Sequence, residues 1–467
     1  MGTDRREAYA FLGLAAGLAL WYCSPWLPLA VPGALLFLAL AWVRLDLALV
    51  FVLFSSPFYL FPKNIGSMAF SLTEFSILAS FIAWAGRHVY TRLTGGQWDL
   101  DLPPGWRPWR SPAMLFLAAA TLSLFFSQYL PVSLREYRVI VLEPFLFYLM
   151  LITSLRGGSA VWRMTNALVL LGVAVSVIAL YHYFFIGVVE STGGVRRMLG
   201  IYHSPNALGL FLGRVAPVAL ALGVGLPLRA FRAASLSGRI KEWIEGQGPG
   251  WPYLAAALLI APSLVLSYSR GAWLGVGAAL LLVAALSGRR AILALAGAAA
   301  AALLVASPFL GLGRLASLVT TSQRLYVWRS SLNMLADRPL TGVGLDNFLY
   351  YYREGGYMLP EAWAEPNVAH AHNLVLDHWL RLGVLGLAVL AWLQVSFWQK
   401  GLALYRTLRG HNLQSVAVAL MASMADFLVH GMLDNSYFLV DLAVVFWLTF
   451  GLMEVMEKET QREVASP

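Results

Sequence analysis

The chain alternates long apolar runs with short polar connections over most of its length. A helix needs about 20 mostly apolar residues to cross a bilayer. Runs near that length fall at 8–23, 26–43, 45–62, 72–90, 112–128, 137–155, 161–187, 204–226, 251–268, 271–287, 289–306, 372–400, 413–430 and 434–455. The pattern predicts an all-α polytopic membrane protein with 12–14 transmembrane helices. Pro25, Pro28 and Pro32 make the second run the least regular. One long stretch of mixed polarity, 307–371, breaks the alternation. The expected organisation is therefore N-terminal transmembrane helices over 1–306, a long loop with short helices over 307–371, C-terminal transmembrane helices over 372–455 and a tail over 456–467.

Composition narrows the class. Hydrophobic residues make up 59% of the 467 positions and charged residues 12%, about half the charged share of a soluble domain. The single cysteine, Cys23, excludes a disulfide framework and a cysteine metal site. The net charge of +9 is spread over many short loops with no basic block, which argues against a nucleic-acid partner. Arg5 and Arg6 precede the first apolar run, which is expected to be an anchor rather than a cleaved signal, since further spans follow at once.

The arginines set the orientation. With the N-terminus inside, the inner connections hold Arg44; Arg87, Arg92, Arg107 and Arg110; Arg156 and Arg163; Arg229, Arg232, Arg239 and Lys241; Arg289 and Arg290; and Arg406 and Arg409. Every second loop is basic, as the positive-inside rule requires, and the C-terminal tail is also inside. The same phase puts Arg135, Arg138, Arg196, Arg197 and Arg270 outside, together with Arg314, Arg324, Arg329, Arg338 and Arg353 of the long loop. The rule gives no reason for these.

Within the loop, Ser322 to Leu335 has helical periodicity. Leu325, Trp328, Leu332 and Leu335 are expected on one apolar stripe, flanked by Arg324 and Arg329. Asp337-Arg338-Pro339 ends that helix, and Thr341 to Asn347 reads as a glycine turn. The tyrosines at 350–352 are expected to pack on the loop.

The loop closes on Ala369-His370-Ala371-His372-Asn373, and Asp377 and Arg381 follow on the next helix. Polar side chains at a membrane edge are costly and often functional. A diphosphate on a lipid carrier suits outer arginines, because guanidinium binds its oxygens through paired hydrogen bonds. Three readings of His370 and His372 stay open at this point: a metal pair, for which no third and fourth ligand is apparent; a helix cap; and acceptance of a proton from a sugar hydroxyl. Asn373, Asp377 and Arg381 share a helix face, so Asp377 and Arg381 are expected to neutralise one another and lock the helix.

Four segments together resemble the O-antigen ligase and O-antigen polymerase superfamily of bacterial membrane glycosyltransferases. They are Arg197 to Asn206 (RMLGIYHSPN), Ser267 to Trp273 (SYSRGAW), the Arg324–Trp328 helix with the Gly342-Val343-Gly344 turn, and His370-x-His372-Asn373. Their order and placement against the spans also resemble that family. The resemblance implies a C-type glycosyltransferase-like fold in the bacterial cytoplasmic membrane, with both termini cytoplasmic and the active site extracytoplasmic. It implies transfer of a glycan from undecaprenyl diphosphate to an acceptor sugar hydroxyl, with inversion and with no metal or other cofactor. By the same resemblance His372 is catalytic and Arg197, Arg270 and Arg324 hold the diphosphate, with Arg196, His370, Asn373 and Asp377 as possible supports. The acceptor is a lipid or glycan. A repeat-unit polymerase of the same fold is an alternative, as is a flippase for the same lipid. Against the flippase, the polar residues gather at one face and no matching pair of broken helices is evident. Arg381 departs from the family, which often has an acid there.

The orientation is testable with alkaline-phosphatase fusions, which are active only outside the cytoplasm. A fusion after Asn347 is expected to be active and one after Glu457 inactive. The opposite pattern overturns the orientation.

Overall fold

The computed structural model describes residues 2–66, 68–96, 100–102, 111–192, 195–288, 297, 319–363 and 366–465. The first helices are α1 (Gly2–Cys23), α2 (Leu27–Val43), α3 (Leu45–Ser55), α4 (Leu72–Leu93) and α5 (Pro112–Ser123). Next come α6 (Leu130–Glu136), a π-helical turn (Tyr137–Leu142), α7 (Glu143–Ser154), α8 (Gly157–Tyr181), α9 (Pro205–Gly225), α10 (Leu236–Ile244), α11 (Trp251–Leu266) and α12 (Arg270–Ser287). The last five are α13 (Val319–Asp337), α14 (Phe348–Arg353), α15 (Leu374–Thr407), α16 (Asn412–Gly431) and α17 (Val440–Ala465). Two small antiparallel hairpins, β1 (Lys63–Ile65) with β2 (Met68–Phe70) and β3 (Val189–Thr192) with β4 (Val195–Met198), join helix ends.

The architecture is all-α and polytopic. Among the described residues six helical stretches are long and apolar enough to cross a membrane: Leu130–Ser154, Gly157–Ile186, Pro205–Gly225, Arg270–Ser287, Leu374–Thr407 and Asn412–Gly431. Four shorter apolar helices accompany them, Leu27–Val43, Leu45–Leu60, Pro112–Phe126 and Trp251–Leu266. A helix occupies each expected span except 289–306, which lies outside the described residues save for residue 297. Arg107, Arg110, Arg289, Arg290, Arg314 and the loop segment 307–318 also lie outside them.

Buried charges join the helices. Arg214 on α9 is 2% exposed; it lies 3.6 Å from Asp426 on α16 and over the ring of Phe427, and donates to the Ser436 carbonyl at 2.6 Å. Arg138 pairs with Glu74 at 2.5 Å, so this outer arginine ties α4 to the π-helical turn. Arg381 corrects an expectation. Its guanidinium bonds Glu136 on α6, with the ring of Phe438 4.5 Å away. Asp377 turns back instead and accepts the Ala371 N–H at 2.8 Å. The pair that the spacing offers within one helix is thus replaced by a lock between α15 and α6.

Helix α15 is broken at Gly383, whose φ of 68° lies in the left-handed region. The break leaves backbone groups that an apolar environment cannot satisfy. The glycine turn supplies them. Val343 N–H and Gly344 N–H donate to the Leu380 carbonyl at 2.7 and 3.2 Å, and Val384 N–H donates to the Leu340 carbonyl at 3.1 Å. A Cβ on Gly383 would lie 2.1 Å from the Leu340 oxygen, and one on Gly342 would lie 2.2 Å from the Leu380 oxygen. Glycine is required on both sides of this joint.

Around it sits a second apolar core. Val327, Met334 and Leu335 of α13 pack there with Phe348, Tyr351, Tyr352 and Leu380. The stripe on α13 is therefore rotated from the expected one. Val327, Ser331 and Met334 face inward, whereas Leu325 and Leu332 are 51% and 52% exposed. Tyr351 and Tyr352 pack on the loop, and Tyr350 stacks on Tyr129 with centroids 4.3 Å apart.

Gly383→Ala is expected to lower stability by about 2 kcal/mol or more, from left-handed strain and the clash with Leu340. Gly277→Ala on α12, where a Cβ meets open space, is expected to be neutral or mildly stabilising. Thermal unfolding in micelles measures both, and equal melting temperatures for the two variants contradict the joint.

Candidate active site

The site forms where the 366–373 segment enters α15 and meets the turn between α16 and α17. Asn373 caps α15: its side-chain oxygen accepts the N–H groups of Val375 and Leu376 at 3.0 and 3.1 Å. A β-region residue with a short polar side chain suits that position. Its amide donates to the Met432 carbonyl at 3.0 Å, tying the two segments together. The Ala371–Asp377 bond fixes the residue before His372, and His372 N–H donates to His370 Nδ1 at 3.2 Å. His372 itself has φ of 51°. A non-glycine residue in that region stores strain, which persists where the surroundings over-determine it.

This backbone aims the imidazole at Asp434. His372 Nδ1 lies 3.0 Å from Asp434 Oδ1. Arg324 of α13 reaches the same turn, bonding the Leu433 carbonyl and lying 3.3 Å from Asp434 Oδ2. The Asn435 N–H adds a third donor at 2.9 Å. Burial alone would raise the Asp434 pKa, but the facing His372, its hydrogen bond and Arg324 outweigh that and hold the carboxyl well below the usual carboxylate range. The Asp434 carboxylate accepts a hydrogen bond from His372 Nδ1–H, and in the neutral imidazole that tautomer leaves Nε2 as the acceptor. His370 is half-buried with its ring centroid 4.2 Å from that of His372. Burial first, then His372, hold its imidazole well below its usual value.

Arg197 approaches from β4. The hairpin register puts it opposite Glu190, with the side chains 3.1 Å apart. It donates to the Ser267 carbonyl at 3.0 Å, which joins the first two motif segments, and to Asn206 Oδ1 at 2.8 Å, which closes the first on itself. Burial, and behind it the positive charge of Arg324, lower the Arg197 pKa, opposed by Glu190 and Asp434. Arg196, its neighbour, is exposed and lies over the ring of Tyr183 at 5.5 Å. The hairpin thus separates the doubled arginines: Arg197 turns toward Ser267 and Asn206, and Arg196 turns away. Arg270 is exposed at the start of α12, where the adjacent Gly271 abuts His430, one turn before Asp434.

An apolar groove of about 510 Å³ runs down from this site. Leu374, Val375, Leu390, Leu428 and Met432 line it between α15 and α16. His370, His372 and Asp434 also offer one ligand atom each within 4.8 Å of one another, a set that could hold a metal ion. Arg324 already occupies the second oxygen of that carboxylate, and its charge opposes a cation there. Asp434 is not among the expected site residues, although the sequence places the Asp434-Asn435 pair at a turn that could face the same cavity.

The arrangement is a histidine–carboxylate pair beside arginines, at the ends of apolar helices and next to an apolar groove. Residues 255–391 match a family profile described as O-Antigen ligase. Over those residues, less than half of the chain, the sequence is similar to that family. The matched stretch includes Arg270, Arg324, His370 and His372. No curated protein matches the chain with significant similarity.

The depressed His370 pKa has a sign. The unfolded chain takes up a proton near pH 6.5 that the native state does not, so this contribution is complete above that pH and is lost as pH falls through it. The melting temperature is expected to fall progressively as pH drops below about 6.5, and His370→Gln to flatten the fall. An unchanged slope contradicts the assignment.

Proposed function

We propose that the chain transfers a glycan from undecaprenyl diphosphate to an acceptor sugar hydroxyl on the outer face of the bacterial cytoplasmic membrane. The observation that carries this reading is Asp434 shared between His372 and Arg324, which puts a base and a phosphate-binding cation at one turn. His372 Nε2 takes the proton of the acceptor hydroxyl. The freed oxygen attacks the anomeric carbon from the face opposite the diphosphate, inverting that centre, as the sugar–diphosphate bond breaks. Arg324, Arg197 and Arg270 stabilise the charge that develops on the leaving diphosphate. Asp434 holds the imidazole and stabilises its charged form. The apolar groove beside Met432 accepts part of the polyisoprenyl chain. The arginine charge facing Asp434 favours a metal-independent reaction.

A repeat-unit polymerase uses the same donor chemistry and differs in its acceptor, which is itself carrier-linked. A flippase needs no base, so the His372–Asp434 pair favours an enzyme.

The test uses purified protein in vesicles, carrier-linked glycan and defined acceptors, with release of undecaprenyl diphosphate as the readout. His372→Ala is expected to lose roughly 10²–10⁴ of the rate, and Arg324→Ala roughly 10²-fold or more. Chelation is expected to leave the rate unchanged. Full transfer by His372→Ala, or lipid movement without bond formation, overturns the reading.

A further inference from the structure

A second polar cavity lies at the far end of the helix bundle. Helix α17 starts a few residues after Asp434, and 18 residues along it from Val440 the Lys458 ammonium bonds Asp101 and the Ile152 carbonyl. At 1.5 Å per residue that is about 27 Å, close to the thickness of a bilayer core. Asp101 lines a cavity of about 640 Å³ whose walls come from the ends of α2, α3, α4, α7 and α8. Arg44, Arg87, Arg156 and Arg163 line it, with the Ser159 hydroxyl beside them; the Thr91 hydroxyl, also on the wall, donates to the Arg87 carbonyl. Every one of these arginines belongs to a loop that the charge pattern assigns to the cytoplasm.

Among the described residues the ion pairs at this cavity leave cations in excess. Arg44 forks onto Asp46 through two 2.9 Å bonds, Arg163 bonds Asp46 and Glu7, and these four groups are neutral together. On the other wall, Arg156, Lys458 and Arg462 all gather on Asp101, and Glu459 pairs with Arg462, leaving one positive charge in excess. Arg87 has no acidic partner among the described residues and adds a second. Arg156 keeps 71% of its side chain exposed although it touches Asp101. Two guanidinium groups with open donors in one concave site match the oxygens of a phosphate.

Apolar side chains flank the cavity: Val43 on its wall, and Tyr90 and Leu93 on either side of its Thr91 along α4, are 68%, 60% and 80% exposed. A phosphate bound inside would leave attached acyl chains against these side chains. Basic pockets between transmembrane helices on the cytoplasmic side suit anionic head groups.

We infer that this cavity binds a phosphate-bearing anion, the source favoured by the flanking apolar side chains being the phosphodiester headgroup of an anionic inner-leaflet phospholipid. The site is independent of the transferase reading, since it shares no residue with the His372 site. Bound there, the lipid clamps α4 to the α7–α8 corner.

The experiment compares the full chain with Arg87→Gln/Arg156→Gln and with Arg87→Gln alone, in nanodiscs of phosphatidylcholine with graded phosphatidylglycerol. Native mass spectrometry counts retained lipid, and thermal unfolding is followed alongside, with inorganic phosphate as the water-soluble arm. Retention of phosphatidylglycerol is expected to fall roughly 30-fold in the double variant, with a smaller loss for the single one. Melting in pure phosphatidylcholine is expected to stay unchanged, because both side chains are exposed. Stabilisation by inorganic phosphate that equals that by phosphatidylglycerol and vanishes in the double variant supports the phosphate site with a soluble ligand. Equal phosphatidylglycerol retention by the wild type and the double variant, or no preference over phosphatidylcholine, overturns the proposal.

Discussion

One buried carboxylate organises the end of the helix bundle at which the loop enters α15. Asp434 sits on a turn between two helices and takes hydrogen bonds from His372, Arg324 and the Asn435 backbone. An isolated carboxylate at such a place would be costly, and the three donors reverse that cost. Each donor comes from a different part of the chain. Ionised Asp434 therefore draws together the loop helix, the entry to α15 and the α16–α17 turn. The same charge orients the imidazole and leaves its second nitrogen for chemistry. Stability and proposed catalysis thus rest on one set of contacts.

The loop stays near that carboxylate because it is built into the membrane helix. The turn at 341–344 fills the break at Gly383 with backbone hydrogen bonds, so α13 and α14 are docked rather than draped. Arg381, just before the break, is held by Glu136. A buried pair of this kind is weak support for stability but strongly sets geometry, since losing one partner strands the other. Together these contacts explain how a loop arginine, Arg324, is delivered to a residue 110 positions away.

Much of this was legible in the sequence, for reasons of scale. Spans announce themselves because the bilayer fixes their length, and the loop because it interrupts them. The site histidines were legible because polar residues at an apolar edge stand out. The long-range pairings were not. Arg381 has Asp377 four residues away and Glu136 245 residues away, and periodicity can see only the first. The break at Gly383 was hidden because glycine is ordinary in membrane helices, and the satisfying turn lies forty residues upstream. On α13 the apolar stripe of Leu325 and Leu332 is real but faces outward, and the inner face uses Val327, Ser331 and Met334. A stripe reports that a helix has an apolar face without saying whether protein or lipid covers it.

The central claim is that His372 and Asp434 act as one unit in transfer. A double-variant cycle tests it most directly, comparing His372→Ala, Asp434→Asn and the combination for their rates of undecaprenyl diphosphate release. Groups that act as a unit are strongly non-additive. The account predicts that the double variant is no slower than His372→Ala within a few-fold. Losses that multiply would mean that the two residues act separately, and would contradict it.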